Sequence, residues 1–345
     1  MVLLLGSLSL AAQKKNFSVE GTIPLPDGYT VGITCQTDTS YSVQIADGVI
    51  KDGHFTLSGT IDRPLHGTLM TNNLDLVSRN HWPDDSIRWT YSDVFLSPGK
   101  LYAVADMSDK ESPVKIVGTQ VQTDFNALRQ LPLDEPERSW AFIDGHPHSY
   151  ISLWLAESML KRGYNLTAEQ VEHLASTITS VPGAEADMAR FRTAIESARL
   201  TTRGADIVDL NLFDTHGREV SLTRVIPKGK YVLLDFWASW CGICLYSMPE
   251  VAQIAADYSH SFTVVGVSID RKDEAWRKAL KKHPQKWAQY RTTEQGYKDM
   301  FSKYRVGDGV PYYLLLSPEG KVLFSPSHPS EVREFLSKIE DKPTK

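Results

Sequence analysis

The chain has 345 residues, 41% of them hydrophobic and 23% charged, with a formal net charge of −5. This is the composition of a folded globular protein, and the length calls for more than one hydrophobic core. The mild acidity gives no footing for nucleic-acid binding, and three cysteines are too few for a disulfide scaffold.

The first residues, "MVLLLGSLSLAAQKK", carry an apolar run from Val2 to Leu10 followed by small residues and two lysines. Ser9-Leu10-Ala11 fits a signal-peptidase site with the mature chain starting at Ala12 or Gln13, so residues 1–12 are expected to be an export leader. The run is too short for a mature membrane span, and no other stretch approaches eighteen apolar residues. No cysteine follows the leader, which argues against a lipid anchor. An exported protein without stable membrane insertion, periplasmic in location, is the expectation.

From Asn16 to about Val117, short alternating runs are broken by turn residues. "NFSVEGTI", "YTVGITCQ", "YSVQIADGVIKDGHFTLSGTI", "GTLMTNN", "DVFLSPGKLYAVA" and "VKIVG" read as strands. Lys51-Asp52-Gly53 supplies a hairpin turn. The spacing predicts an all-β sandwich over 16–118. Cys35 lies on one of these strands, where a lone thiol behaves as a small hydrophobe.

Over 119–203 the period becomes helical, in "SYISLWLAESMLKRG", "TAEQVEHLASTITSV" and "AEADMARFRTAIESARL". Thr167 and Gln170 suit a capping box, and Gly163 suits a helix end. These helices are expected to bridge the sandwich to the region that starts at Ala205. His146 and His148 have no third ligand nearby and read as a loop and helix start, not a metal site.

From Ala205, strands and helices alternate. "IVDLNLFDTHGREVSL" reads as a hairpin across Thr215-His216-Gly217, and "KYVLLDFWA" and "FTVVGVSI" read as buried strands. "CGICLYSMPEVAQIAADYS", "DEAWRKALKKH", "EQGYKDMFSKY" and "EVREFLSKI" read as helices, and "VPYYLLL" with "KVLFS" as a hairpin. The result is a mixed sheet with helices on its faces, in an α+β chain of several domains.

Cys241 and Cys244 lie where the first of these buried strands gives way to a helix. Positions i and i+3 share a helix face, which suits a disulfide. Cys241 falls at the helix N-terminus, where free N–H groups and the helix dipole stabilise a thiolate; Cys244 is deeper. An exposed nucleophile beside a shielded resolving thiol is what dithiol exchange requires. Zinc binding needs a second ligand pair that Cys35 alone cannot supply. Chance proximity is the other alternative, since the bare spacing is only moderately specific.

The surroundings of the two cysteines narrow the choice. Asp235-Phe236-Trp237-Ala238, Trp240-Cys241-Gly242-Ile243-Cys244, Pro249 and the later "VPYYLLLSPEGKV" resemble the thioredoxin fold, in particular the exported reductases of the TlpA/ResA type. The resemblance covers Ala205 to Ile339 and sets the domain at 205–345. It implies that Pro311 is a cis-proline facing the disulfide and that Val310 presents its backbone to a bound peptide. Trp240, Gly242 and Ile243 would join these two in receiving substrate. Asp235, buried beneath Cys244, would take the resolving thiol's proton.

The N-terminal half is similar to a domain of unknown function that precedes thioredoxin domains in Bacteroidetes-type exported proteins. Phe17, Gly21, "DGVIKDGHFTLSGTI", "FLSPGKLY" and "VKIVGTQVQTDF" carry that likeness. No catalytic constellation is visible there.

Four departures stand out: Ile243 for the usual proline, Ser247 for a glutamate, Gly266 for a lysine paired to the buried aspartate, and a longer "RVGDGVP" followed by Tyr312 for threonine. They bear on substrate preference and redox poise.

The resemblance implies thiol–disulfide exchange with protein thiol or disulfide substrates, fed by an upstream thiol redox partner. It needs no cofactor beyond the Cys241–Cys244 dithiol and no metal. A thiol peroxidase is the first alternative, although Ala238 and Leu234 occupy the places where a peroxidatic cysteine has Thr or Ser and proline. A non-enzymatic binding module built on the sandwich is the second.

Overall fold

A computed structural model describes residues 15–36, 42–105, 114–161, 166–304 and 309–340. The leader, Gly163 and most of the "RVGDGVP" segment lie outside these residues. The chain divides into two compact units, one ending at Ser152 and the other starting at Leu153.

Among the described residues the first unit holds eight strands: β1 (Phe17–Thr22), β2 (Thr30–Gln36), β3 (Ser42–Val49), β4 (His54–Gly59), β5 (Leu65–Asn72), β6 (Trp89–Leu96), β7 (Gly99–Ala105) and β8 (Val114–Val117). A short helix α1 (Leu74–Asn80) follows β5. The strands form two four-stranded sheets, in orders β4-β1-β7-β8 and β3-β2-β5-β6. Alternate residues such as Phe17, Val19, Val31, Ile33, Leu57, Leu69 and Leu101 share one buried core. This is the expected sandwich.

Asp52 and Gly53 both have positive φ, 50° and 74°. Lys51 and His54 exchange backbone hydrogen bonds of 2.9 Å across them. That is the two-residue hairpin turn foreseen from Lys51-Asp52-Gly53.

Residues 119–203 hold the helices between the sheet-rich N-terminal part and the C-terminal α/β part, and the division into units falls among them. Helices α2 (Gln120–Gln130) and α3 (Glu137–Gly145) belong to the first unit. The boundary falls inside α4 (Tyr150–Met159), and α5 (Ala168–Thr177) and α6 (Glu185–Thr201) belong to the second. The physical reason is side-chain bonding. Gln122 of α2, 1% exposed, accepts from Phe95 N at 2.7 Å, and Asn126 donates to Ile116 O at 2.8 Å. Ser197 of α6 donates to Ser302 O at 2.6 Å in the second unit. Thr167 and Gln170 form the anticipated capping box of α5.

The second unit contains β9 (Asn211–Phe213), β10 (Glu219–Ser221), α7 (Leu222–Val225), β11 (Tyr231–Trp237), α8 (Gly242–Asp257), β12 (Phe262–Ser268) and α9 (Asp273–Lys282). It continues through β13 (Ala288–Thr292), α10 (Glu294–Lys303), β14 (Tyr312–Leu316), β15 (Val322–Phe324) and α11 (Pro329–Glu340). One seven-stranded sheet runs β10-β9-β13-β12-β11-β14-β15. In its interior, next to the central strand, β11 pairs in parallel with β12 and antiparallel with β14.

β11 is buried on both faces, which explains its nearly continuous apolar sequence. Val232, Leu234 and Phe236 face a core shared with Trp276 and Met300. Leu233 packs with Val251 and Ile254 of α8 and Val332 and Leu336 of α11. Asp235 is the one charged residue in this strand.

Candidate active site

α8 starts immediately beyond the C-terminal end of β11. Its N-cap is Cys241, whose sulfur accepts a 3.1 Å hydrogen bond from the Cys244 amide. The two cysteines form a disulfide, with Cα atoms 5.3 Å apart. Cys35 is free and wholly buried in the sandwich core, where burial pushes its thiol up to about 11. Its sulfur lies 2.5 Å from where a Cβ on Gly67 would stand, so it fills space that Gly67 leaves open.

The approach to α8 is held by a carboxylate absent from the sequence expectations. Asp270, 2% exposed, accepts from Ser239 N at 2.8 Å, from Ser239 Oγ at 2.6 Å and from Ser268 Oγ at 2.7 Å. These bonds fix the turn carrying Trp240 into Cys241. Two polar residues at the end of an apolar strand, Ser268 and Asp270 on either side of Ile269, were the available signal.

Val310–Pro311 is a cis peptide. The Val310 carbonyl oxygen lies 3.4 Å from the Cys241 sulfur. A disulfide sulfur has no proton, so this contact becomes a hydrogen bond only when Cys241 is a thiol.

Around the disulfide, Trp240 is 68% exposed, Ile243 70% and Tyr246 87%. Three large apolar side chains at spacings of three residues thus rim the first turn, and Tyr246 is an addition to the residues expected from sequence. Gly242 begins the helix between them, with no atom within 4 Å of where a Cβ would stand.

Beneath the first turn, Ser247 Oγ lies 3.0 Å from the Cys244 carbonyl oxygen and 2.8 Å from Tyr313 Oη. Ser247 has one proton; given to the carbonyl, it leaves the tyrosine as donor to Ser247. Tyr313, 1% exposed, is the cross-strand partner of Asp235, so both side chains stand on one face of the sheet. A buried hydroxyl pair therefore occupies the place where the resemblance leads one to expect a glutamate.

Asp235 is 3% exposed. Desolvation alone pushes its carboxyl up to about 7, and no hydrogen bond or ion pair to it is found among the described residues. Its partner on β12 is Gly266, which contributes no cation. Among the described residues no group of three or more His, Cys, Asp or Glu could hold a metal. His146 instead stacks on Phe142, with ring centroids 4.3 Å apart.

Residues 229–322 match the model of a thioredoxin-like family, and residues 17–125 match a domain of unknown function, DUF4369. The thiol-disulfide oxidoreductase ResA of Bacillus subtilis is 27% identical over 123 residues, 35% of this chain and 65% of that protein. A thioredoxin of Chlorobaculum thiosulfatiphilum is 40% identical over 48 residues, 14% of this chain and 44% of that protein. The chain spans less than two thirds of the length of these curated relatives. Among solved structures, the thioredoxin domain of a thiol-disulfide oxidoreductase from Bacteroides vulgatus is 29% identical. That likeness covers 40% of this chain and 97% of that one, with a TM-score of 0.34. The chain carries a thioredoxin-like domain in its C-terminal part, behind a domain of unknown function.

Proposed function

We propose that the protein is a thiol–disulfide oxidoreductase exchanging disulfides with protein substrates through Cys241 and Cys244. The observation that carries this reading is the Cys241–Cys244 disulfide at the N-terminus of α8, with Val310 O 3.4 Å from the outer sulfur.

In the reducing direction, the Cys241 thiolate attacks a substrate disulfide. One substrate S–S bond breaks, a mixed disulfide forms, and one substrate thiolate leaves. Cys244 then gives its proton to the Asp235 carboxylate, directly or through one water, and attacks the Cys241 sulfur. The second substrate thiolate leaves, and the protein's cysteine pair has lost two electrons to the substrate. An upstream thiol partner returns them.

Trp240, Gly242, Ile243 and Tyr246 supply a surface with three exposed apolar side chains for an unfolded or extended segment, and the Val310–Pro311 backbone lies beside Cys241 for main-chain contact. The chemistry needs no cofactor beyond the dithiol. We place it outside the cytoplasm, on the strength of the apolar run from Val2 to Leu10; no helix among the described residues is long and apolar enough to cross a membrane.

The test is insulin reduction with dithiothreitol, run beside peroxide consumption. Insulin turnover is expected without peroxidase activity. Cys241→Ser abolishes it, whereas Cys244→Ser accumulates mixed disulfides detectable by mass, because no resolving thiol remains. Turnover that survives Cys241→Ser, or peroxide consumption in place of insulin reduction, overturns the reading.

A further inference from the structure

Gln289 on β13 has no counterpart among the residues singled out from sequence. It is 8% exposed and stands in register with Gly266 on β12, which stands in register with Asp235 on β11. The three positions lie side by side across neighbouring parallel strands, on one face of the sheet. Gly266 has no side chain, and Gln289 fills its place: the amide oxygen, carbon and nitrogen lie 2.4, 2.6 and 2.6 Å from where a Gly266 Cβ would be.

The amide reaches further, to β11. Trp237 Nε1 donates to Gln289 Oε1 at 3.0 Å. An indole N–H can only donate, so this bond fixes the oxygen end of the amide and leaves the NH2 end for something else. Gln289 Nε2 is buried and has no partner among the described residues. Two residues before Trp237 stands Asp235, a buried acceptor also without a partner among them. The orphan amide NH2 thus lies over Gly266, about one strand spacing from the Asp235 position on β11.

We propose that Gln289 is a positioning residue for the resolving half-reaction, its amide NH2 favouring the carboxylate form of Asp235 from across Gly266. The inference rests on the exchange reaction proposed above. At one strand spacing the amide acts through its dipole or through a single bridging water. The other groups facing Asp235 are the Tyr313 hydroxyl from β14 and the Cys244 thiol and Ser247 hydroxyl from α8. Burial pushes the Asp235 carboxyl up, and in the reduced protein the Cys244 thiol is the group that exchanges a proton with it.

The experiment uses the full-length reduced protein and 5,5′-dithiobis(2-nitrobenzoate). Stopped-flow absorbance follows release of the second thionitrobenzoate, which reports Cys244 attacking the mixed disulfide, across the neutral pH range. In Gln289→Leu the midpoint of this profile moves upward by about half a pH unit or more, because the carboxylate loses a favourable dipole. Gly266→Ala moves it the same way, since the new Cβ displaces the amide without removing it. In an Asp235→Asn background Gln289→Leu shifts nothing, an outcome that a merely structural role for Gln289 would not give. Midpoints unchanged in both single variants, or a shift that persists without Asp235, overturn the proposal. A wild-type protein that releases no second equivalent fails the exchange reading itself, which sets that failure apart.

Discussion

At the scale of single residues, substitutions at Ile243 and Asp235 test the proposed chemistry around the two cysteines. Ile243 occupies the second position of α8, where a proline would contribute no N–H. Its amide is one of the unpaired donors of the first turn, and its side chain is 70% exposed, so its apolar bulk does little to desolvate the Cys241 sulfur. The balance therefore favours the thiolate and a more oxidising disulfide. A helix-start donor contributes about 1 kcal/mol to a thiolate, which corresponds to about 20 mV. The potential is expected at about −250 to −180 mV, above the roughly −270 mV of thioredoxin, with Ile243→Pro more negative. Glutathione-equilibrium titration of both proteins measures this; a wild-type value at or below that of the variant defeats the argument. Asp235 acts on stability. Its folded value of about 7 stands above the ~3.9 of an unfolded aspartate, so the fold binds the proton more tightly. That contribution is complete below pH ~4 and is lost as pH rises through about 7, amounting to about 4 kcal/mol. Asp235→Asn carries no such loss. Its stability relative to wild type, from urea melts of the oxidised proteins, should therefore climb across that window, and parallel curves would show Asp235 to be solvated.

At the scale of elements, what could be read from sequence depends on the carrier of the signal. β11 and β12 were legible because burial on both faces makes them continuous apolar runs. The hairpin at Asp52-Gly53 was legible because two consecutive positive φ values demand such residues. β13 was not, because "AQYRT" has only Gln289 and Thr292 fully buried and neither is apolar. α2 was missed for a related reason. Its buried face is Gln122, Phe125 and Leu128, and the leading residue is a glutamine that caps a strand amide. Polar groups buried to satisfy a distant backbone atom leave no hydrophobic period. The site divides the same way: the cysteines, Asp235 and Pro311 stand in local motifs, whereas Asp270, Tyr313 and Gln289 act across strands. The turn from β8 into α2 depends on Gly118, at φ +139°, where a Cβ would meet the Lys100 carbonyl oxygen at 2.4 Å. Backbone, not a flexible side chain, is what it strikes. Gly118→Ala should therefore destabilise the first unit by about 2–4 kcal/mol, read as a lowered urea midpoint, and an unchanged midpoint would mean that the turn relaxes freely.

At the scale of the whole molecule, the two units hold separate cores, and the disulfide with its supporting side chains lies within the second alone. The sandwich core contains Cys35 and no part of the Cys241–Cys244 machinery. A boundary at Ala205, set by where the strand–helix alternation begins, removes α5 and α6 from the second unit. Those helices are part of it: α6 buries Met188, Phe191, Ile195 and Ala198, and Ser197 donates to the Ser302 carbonyl near the end of α10. α10 in turn follows β13, the strand that carries Gln289. Cutting at 205 strips that surface from α10, and each large apolar side chain uncovered costs about 1.5–3 kcal/mol. A fragment of 153–345 should therefore melt cooperatively and reduce insulin at a rate close to that of the full chain. A fragment of 205–345 should melt earlier and show a lower urea midpoint, with its exchange chemistry retained wherever it stays folded. Equal stability of the two fragments would show that α6 adds nothing to the second unit. Loss of exchange in a well-folded 153–345 fragment would mean that the sandwich completes the site.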